Sequence, residues 1–215
     1  MSRKREFSRV PRIDIPRKSI YRLSIYQRCL HRLKENRVET VSSEALAKAA
    51  GVKSTQLRKD LTYFGQFGTR GLGYNVDQLS KTIGEVLGHN RLQPVILVGV
   101  GNLGAALLRY GGFRKEGFEI VAAFDMAPNQ ARLGENPIAL HAMDKLATFV
   151  KQHHVKMAIL TVPSVAAQTV TNQLVLAGIQ AILNFSPTVL EVPDNVVVNS
   201  VDLAVELENL SYFIR

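Results

Sequence analysis

Residues 99–104 form a G-x-G-x-x-G motif, and this spacing of glycines is typical of a turn that binds a pyrophosphate. The motif directly follows a β-branched run, 95–98, that predicts a buried parallel strand, and it opens a helical pattern. Gly99 would permit the tight turn, Gly101 would let the pyrophosphate approach the backbone, and Gly104 would let helix and strand pack closely. The motif thus predicts a dinucleotide site made of Gly99, Val100, Gly101, Asn102, Leu103 and Gly104.

A single carboxylate, Asp125, ends the next predicted strand, about twenty residues beyond the glycine motif. An acid at this place accepts hydrogen bonds from the two ribose hydroxyls of an adenosine. Because a carboxylate also repels a 2′-phosphate, Asp125 favours NAD(H) over NADP(H). The alternative interpretation is a solvated aspartate that merely ends a strand.

A helix–turn–helix pattern lies in the first half of the chain. Residues 44–50 and 54–63 predict two short helices around a turn at Gly51, the first capped by Ser42 or Ser43 and the second by a hydroxyl at its start. The first residues of a recognition helix face base edges in the major groove. A three-helix domain with a solvated charged face is the alternative. The predicted DNA contacts are Ser43, Ser54, Thr55, Gln56, Arg58, Lys59 and Tyr63, with Arg70 and Gly71 on a glycine-rich hairpin that suits a wing.

Charge is distributed unevenly along the 215 residues. Residues 1–92 hold 19 Lys and Arg against 8 Asp and Glu, a net +11, whereas residues 93–215 hold 8 against 10, a net −2. The first half is therefore expected to bind a polyanion, although charge alone also fits a membrane surface or simple solubility. No apolar run is long enough to span a membrane. One cysteine, Cys29, and no apolar signal segment predict a cytoplasmic protein.

The coarse pattern predicts an α/β protein of two domains. Short buried strands at 95–98, 120–124, 157–162, 181–183 and 196–198 alternate with helices, which implies a parallel sheet with helices on both faces. The predicted divisions are a flexible basic arm (1–16), a winged-helix domain (17–90), a Rossmann domain (91–200) and a terminal helix (201–215). The histidines and Cys29 lack metal-ligand spacing, and no G-x-S-x-G motif occurs, so no metal site and no catalytic residue is predicted.

Five motifs together resemble the Rex family of redox-sensing transcriptional repressors over about residues 17–213. They are RKDLTYFGQFGTRGLGY at 58–74, GVGNLG at 99–104, AFD at 123–125, LTVPS at 160–164 and ILNFSP at 182–187. The resemblance implies a homodimer that exchanges its C-terminal helix. It further implies binding to pseudo-palindromic operator DNA with NAD or no nucleotide, and release by NADH. The apolar pattern of 201–214 agrees with exchange, but a helix packed on its own sheet is the alternative.

The resemblance also assigns roles to particular residues. Thr161, Val162 and Pro163, with Asn184, Phe185, Ser186 and Pro187, would border the nicotinamide end of the nucleotide. Arg28, Tyr110 and Asp202 would couple the nucleotide state to the position of the domains. Leu203 departs from relatives that have Phe at this position. Two rival interpretations remain at this stage: a small NAD-dependent oxidoreductase with a basic accessory domain, and a CoA-binding module of the same fold.

The net +11 of residues 1–92 generates a first prediction: affinity for duplex DNA should fall steeply with salt. The log–log slope should be about −0.9 per neutralised phosphate. Replacing Lys59 or Arg70 by Ala should flatten that slope if the side chain contacts a phosphate. Binding isotherms at several salt concentrations measure this, and affinity that does not change with salt would contradict a phosphate-binding role.

Overall fold

A computed structural model describes residues 15–65, 67, 72–88, 91–133 and 136–214. The chain divides into two compact units, Met1–Asn90 and Arg91–Arg215. Each unit is held together by its own apolar core. Among the described residues, no helix is long and apolar enough to cross a membrane.

The described part of the N-terminal unit consists of helices and one short strand pair. Leu23, Tyr26 and Leu30 recur three or four residues apart on the first helix, so they share one face, and that face is fully buried. The two strands pair antiparallel, with Val41 opposite Tyr74. The elements in chain order are α1 (Arg17–Glu35), β1 (Thr40–Val41), α2 (Ser43–Ala49), α3 (Ser54–Thr62), β2 (Tyr74–Asn75) and α4 (Val76–Leu87).

The start of α2 confirms a sequence prediction, and the start of α3 corrects one. The Ser42 hydroxyl accepts a hydrogen bond from the Ala45 amide at 3.0 Å and caps α2. The hydroxyl cap predicted for α3 is wrong, because Lys53 occupies the cap position and its side chain makes no capping bond. Ser54 is already the first helical residue, whereas a capping hydroxyl must belong to the residue that precedes the helix.

The C-terminal unit is built on a six-stranded parallel sheet, of which the sequence predicts the parallel arrangement and five of the six strands. Alternate residues of the strand 93–98 belong to different cores: Ile96 and Val98 pack on one face, Val95 and Leu97 on the other. Both faces are therefore covered. The strands are β3 (Gln93–Val98), β4 (Phe118–Asp125), β5 (Leu140–Ala142), β6 (Met157–Leu160), β7 (Ala181–Asn184) and β8 (Val197–Ser200). Their order in the sheet is β5-β4-β3-β6-β7-β8. The helices are α5 (Asn102–Leu108), α6 (Gly112–Lys115), α7 (Leu146–Gln152), α8 (Ser164–Ala177) and α9 (Leu203–Tyr212).

The edge strand β5 and the single-turn helix α6 of this unit were not predicted. β5 contributes only three residues, of which Leu140 pairs with Ala123 of β4, and each is partly exposed. A segment this short displays neither a continuous apolar run nor an alternation. Its conformation depends on hydrogen bonds to β4, which local sequence does not reveal.

The terminal helix α9 leaves its apolar side chains exposed within the single chain. Leu203, Leu207 and Leu210 are 62%, 68% and 63% exposed, and no residue of α9 is buried. The alternative of a helix packed on its own sheet therefore does not describe this chain. Exposed apolar surface of this kind marks an interaction site.

A largely buried ion pair fixes α3 to α1. Asp60 is fully buried, and both of its carboxylate oxygens accept from the Arg22 guanidinium, at 2.5 and 2.7 Å. The Tyr26 hydroxyl and the Gln56 amide also donate to this carboxylate, at 2.8 and 3.0 Å. Burial by itself would raise the pKa of Asp60, but hydrogen bonds from Arg22, Tyr26, Gln56 and Ser19 outweigh it and lower the pKa below that of an ordinary aspartate.

Replacing Arg22 by Met should lower the free energy of unfolding by about 3 kcal/mol, because it leaves the Asp60 carboxylate buried without its partner. Since the pKa of Asp60 is lower in the folded than in the unfolded chain, the stabilisation it contributes is complete above the unfolded pKa and is lost as the pH falls through the folded pKa. The difference between wild type and variant should therefore shrink in acid. Urea unfolding followed by circular dichroism measures both effects.

Lys34→Met is the matched control, because Lys34 pairs with Asp77 on the surface, where both side chains are largely exposed. Loss of that pair should cost less than about 1 kcal/mol. Equal effects of the two substitutions would show that the Arg22–Asp60 pair is not a structural tether.

Candidate functional site

The predicted nucleotide residues lie together at the carboxyl ends of the central strands of the sheet. Strand order reverses between β3 and β6, so the connections after these two strands leave to opposite sides and open a crevice at their carboxyl ends. Ligands of open parallel sheets bind at such a reversal. Residues 99–104 follow β3, Asp125 ends β4 and residues 161–163 follow β6.

The glycine turn is held against the loop after β6. Gly99 has φ +99°, and a Cβ there would lie 2.8 Å from the Thr161 carbonyl carbon and oxygen. The Thr161 hydroxyl donates to the Gly99 carbonyl at 2.6 Å. A Cβ on Gly104 would overlap the same Gly99 oxygen. Side chains are therefore excluded at Gly99 and Gly104 by the packing of the protein itself.

Gly101 differs from the other two glycines, because a Cβ there would meet no heavy atom within 4 Å. The space belongs to a cavity of about 480 Å³ along the carboxyl edge. A narrow group with several oxygen atoms, such as a pyrophosphate, fits against a backbone that carries no side chain here. The described lining residues are Val98, Gly99, Gly101, Asn102, Leu103, Asp125, Met126, Arg132, Met143, Thr161, Val162, Pro163, Ala166 and Val170.

Two backbone amides orient the Asp125 carboxylate at the rim of this cavity. One carboxylate oxygen accepts from the Val100 amide at 2.7 Å, and the other accepts from the Ala127 amide at 2.9 Å. Each oxygen retains a further lone pair. The arrangement can accept the two neighbouring hydroxyls of a ribose. Val100 itself is buried and contributes its backbone to the site rather than its side chain.

The residues expected at the nicotinamide end divide into two groups. Thr161, Val162 and Pro163 line the cavity, whereas residues 184–187 are absent from its described lining. Asn184 and Ser186 are buried, and they brace the loop: the Asn184 side chain accepts from the Ser186 amide at 2.8 Å, and the Ser186 hydroxyl donates to the Val162 carbonyl. Phe185 packs on the apolar core and Pro187 is exposed.

The helix–turn–helix presents a polar face at the start of both helices. The Arg58 guanidinium lies 3.2 Å from the Ser43 hydroxyl and 3.5 Å from that of Ser54, which brings these three predicted DNA contacts together. Thr55 and Lys59 are exposed on the same helix. Gln56 differs, because its amide nitrogen is bonded to the buried Asp60.

The remaining predicted DNA and switch residues are more dispersed. Tyr63 is half-buried, with its ring 6.4 Å from that of Phe64. Arg70, Gly71 and the rest of the predicted wing lie outside the described residues. Arg28 lies on the exposed face of α1 in the N-terminal unit.

Two predicted switch residues belong to the C-terminal unit. Tyr110 is 61% exposed, with its ring edge-on to Phe113. Asp202 caps α9 by accepting from the amides of Ala204 and Val205, at 2.9 and 3.3 Å. The carboxylate is therefore held at a fixed place at the start of the exposed helix.

Sequence reasoning missed two functional side chains. Asp60 joins α3 to α1, and its signal was available, since it lies between Leu57 and Leu61 on the apolar face of α3. Arg132 lines the cavity although it is remote in sequence from the glycine motif. Nothing in its local pattern distinguishes it from other surface arginines.

Comparisons with known proteins agree with this geometry. Residues 14–62 match the family model described as "Putative DNA-binding protein N-terminus", and residues 90–188 match the "CoA binding domain" model. The chain is 47% identical over 185 residues to the redox-sensing transcriptional repressor Rex of Syntrophobacter fumaroxidans, covering 85% of this chain and 88% of that protein. The chain belongs to the Rex family.

Solved structures of a Rex-family repressor, RSP, extend the agreement to the whole fold. The crystal structure of RSP in complex with β-NAD⁺ and operator DNA superposes with a TM-score of 0.85 at 35% identity, covering 93% of this chain and 92% of RSP. RSP in complex with β-NADH gives a TM-score of 0.82 at 34% identity, covering 94% and 95% of the two chains. The resemblance to the Rex family inferred from the motifs is confirmed.

The glycine geometry generates a prediction about nucleotide binding. Gly101→Val should abolish NADH binding, because the branched side chain would fill the open space over the turn. Folding should be unaffected, since Gly101 has an ordinary φ of −79° and its Cβ position is free of contacts. Calorimetry with NADH and a thermal unfolding curve measure the two effects.

Gly104→Ala is the contrasting variant, because its Cβ would overlap the Gly99 carbonyl oxygen and should lower the unfolding temperature. Unchanged NADH affinity in Gly101→Val would contradict the assignment of this cavity to the dinucleotide.

Proposed function

We propose that this chain is a DNA-binding transcriptional repressor that senses the cellular NADH/NAD ratio. It binds operator DNA as a homodimer with NAD or no nucleotide, and its operator occupancy falls as NADH accumulates. One observation carries the proposal: a single chain of the Rex family joins a glycine-turn cavity with a ribose-directed carboxylate to a helix–turn–helix with a cationic face. As a repressor of this kind it would act in the cytoplasm, where the DNA is.

Different residues of the cavity would bind different parts of NAD(H). The glycine turn, with Asn102 and Leu103, would receive the pyrophosphate, and Asp125 would accept the adenosine ribose hydroxyls. Thr161, Val162 and Pro163 would border the nicotinamide, braced from behind by Asn184 and Ser186. The oxidation state of the bound nucleotide would be sensed through its nicotinamide ring, which is charged and planar in NAD but neutral and puckered in NADH.

The DNA contacts follow from the exposed face of α3. Arg58 lies beside Ser43 and Ser54, and its guanidinium would contact a base edge or a phosphate. Thr55 and Lys59, exposed on the same helix, would contact the duplex next to it. Because Asp60 is the acid of this helix and is buried, no negative charge from it faces the DNA. Arg70 and Gly71 would enter a minor groove as part of a wing.

Dimerisation is supported by α9, whose leucines and Tyr212 are mostly exposed within the single chain. A second copy is the expected partner, because a two-fold dimer presents two recognition helices to a pseudo-palindromic operator. Half-sites one helical turn apart require a helix spacing of about 34–36 Å. A modest rotation of the paired helices would therefore prevent simultaneous contact.

Coupling between the two sites is assigned to Arg28, Tyr110 and Asp202. The adenosine and pyrophosphate are common to NAD and NADH, so the glycine turn and Asp125 should hold both forms almost equally. Discrimination must therefore involve the nicotinamide end, which Tyr110 and α9 would sense. An Arg28–Asp202 ion pair made in one state alone would then move the recognition helices.

Two other functions are less well supported. The relatives of this chain are named as transcriptional repressors, which argues against a small NAD-dependent oxidoreductase. The match to a CoA-binding model reflects a shared fold. Asp125 disfavours CoA, because CoA carries a phosphate on the ribose that this carboxylate would meet.

Linkage provides the test of this function. If NADH weakens operator binding by some factor, operator must weaken NADH binding by the same factor, typically about 5–150-fold. Asp202→Asn should reduce that shared factor while leaving NADH binding to free protein unchanged. Asparagine is chosen because it caps a helix as well as aspartate does, so α9 should stay folded while the charge is lost.

Calorimetry with NADH, with and without saturating operator, measures the factor from both sides. Asp194→Asn is the matched control, because Asp194 is an exposed aspartate in the same unit. Identical NADH affinity in the two conditions would contradict the repressor mechanism, and an equal effect of both substitutions would remove Asp202 from the switch.

A further inference from the structure

Charge in the nucleotide cavity is confined to two side chains of opposite sign. Among its fourteen described lining residues, Asp125 is the sole anion and Arg132 the sole cation. The role proposed above for Asp125 leaves Arg132 without an assignment. A guanidinium that lines a nucleotide cavity is a candidate ligand for phosphate.

The backbone fixes Arg132 beside the glycine turn. It ends the 3₁₀ turn Gln130–Arg132, which the Asn129 side chain caps by accepting from the Ala131 amide at 3.1 Å. The next residue, Leu133, is 2% exposed and anchors the segment in the apolar core. The Arg132 guanidinium donates to the Val100 carbonyl at 2.9 Å. Its position is therefore set by the fold, although the side chain itself is exposed.

Val100 connects the cation to the anion. Its amide donates to the Asp125 carboxylate, and its carbonyl accepts from the Arg132 guanidinium. The two charged groups therefore flank one buried residue at one rim of the cavity. A guanidinium has five N–H donors, and the bond to Val100 uses one of them. Others remain to meet a group that extends from the ribose held by Asp125.

We propose that Arg132 is a second selectivity residue of the nucleotide site. Its guanidinium can bind a ribose 2′-phosphate, and the negative charge of Asp125 prevents that binding. The inference rests on the proposed NAD(H) binding. With Asp125 ionised, a 2′-phosphate meets a carboxylate at the position of the ribose hydroxyls, and repulsion excludes NADP(H). Without that charge, Arg132 supplies the bidentate partner that a phosphate prefers.

Calorimetry on the full chain with NADH, NADPH and adenosine 2′,5′-bisphosphate tests this inference. Asp125→Asn should tighten NADPH and the bisphosphate about tenfold or more, as expected when a charge-assisted hydrogen bond replaces a repulsion. Asp125→Asn combined with Arg132→Met should lose that gain. Arg132→Lys in the same background should retain only part of it, because an ammonium cannot bind a phosphate in the bidentate geometry.

Arg114→Met in the Asp125→Asn background is the matched control, since Arg114 is a largely exposed arginine that pairs with Glu119 outside the described lining. It should keep the full gain. An Asp125→Asn variant that gains no affinity for the bisphosphate, or whose gain survives Arg132→Met, would overturn the inference while NADH binding by the wild type stands. Failure of wild-type protein to bind NADH would instead contradict the proposed function.

Discussion

The close approach of the loop after β3 to the loop after β6 is the constraint on which the nucleotide site depends. At the reversal of strand order these loops must pass in contact, and only a residue without a side chain can occupy the place of Gly99, whose Cβ would strike the Thr161 carbonyl. Gly104 packs on the same Gly99 oxygen, and the Thr161 hydroxyl donates to it. The turn is therefore fixed from three sides before any ligand binds.

Val100 transmits that rigidity to the charged groups. It is buried immediately after Gly99, so its amide and carbonyl are held in place, and they orient a carboxylate on one side and a guanidinium on the other. A site arranged by backbone groups requires little reorganisation when a nucleotide enters. In the selectivity proposed here, charge at the rim of the cavity distinguishes one nucleotide from another, and the shape of the glycine turn does not.

In the N-terminal unit, the electrostatic feature that matters is a buried negative charge. Its helix α3, the proposed recognition helix, carries the exposed cations Arg58 and Lys59, yet it also contains Asp60. Burial of that carboxylate against Arg22 removes the negative charge from the surface and at the same time joins α3 to α1. A recognition helix fixed in this way moves as part of a rigid unit. That property suits a regulator whose affinity depends on the spacing of two such helices.

The sequence by itself determined the parts of this protein that rest on local pattern. Buried strands showed as continuous apolar runs, α2 showed by its serine cap, α3 followed the turn at Gly51, and the glycine motif and Asp125 followed from spacing along the chain. Only the tertiary structure decided that Gln56 bonds inward to Asp60, that β5 joins the sheet edge, and that Arg132 lies at the cavity. These features depend on contacts between residues distant along the chain: even the local Gln56–Asp60 bond faces inward because Asp60 is buried against Arg22, which is 38 residues away. A helical or strand period records which face of an element is buried, but it does not record which other element covers that face.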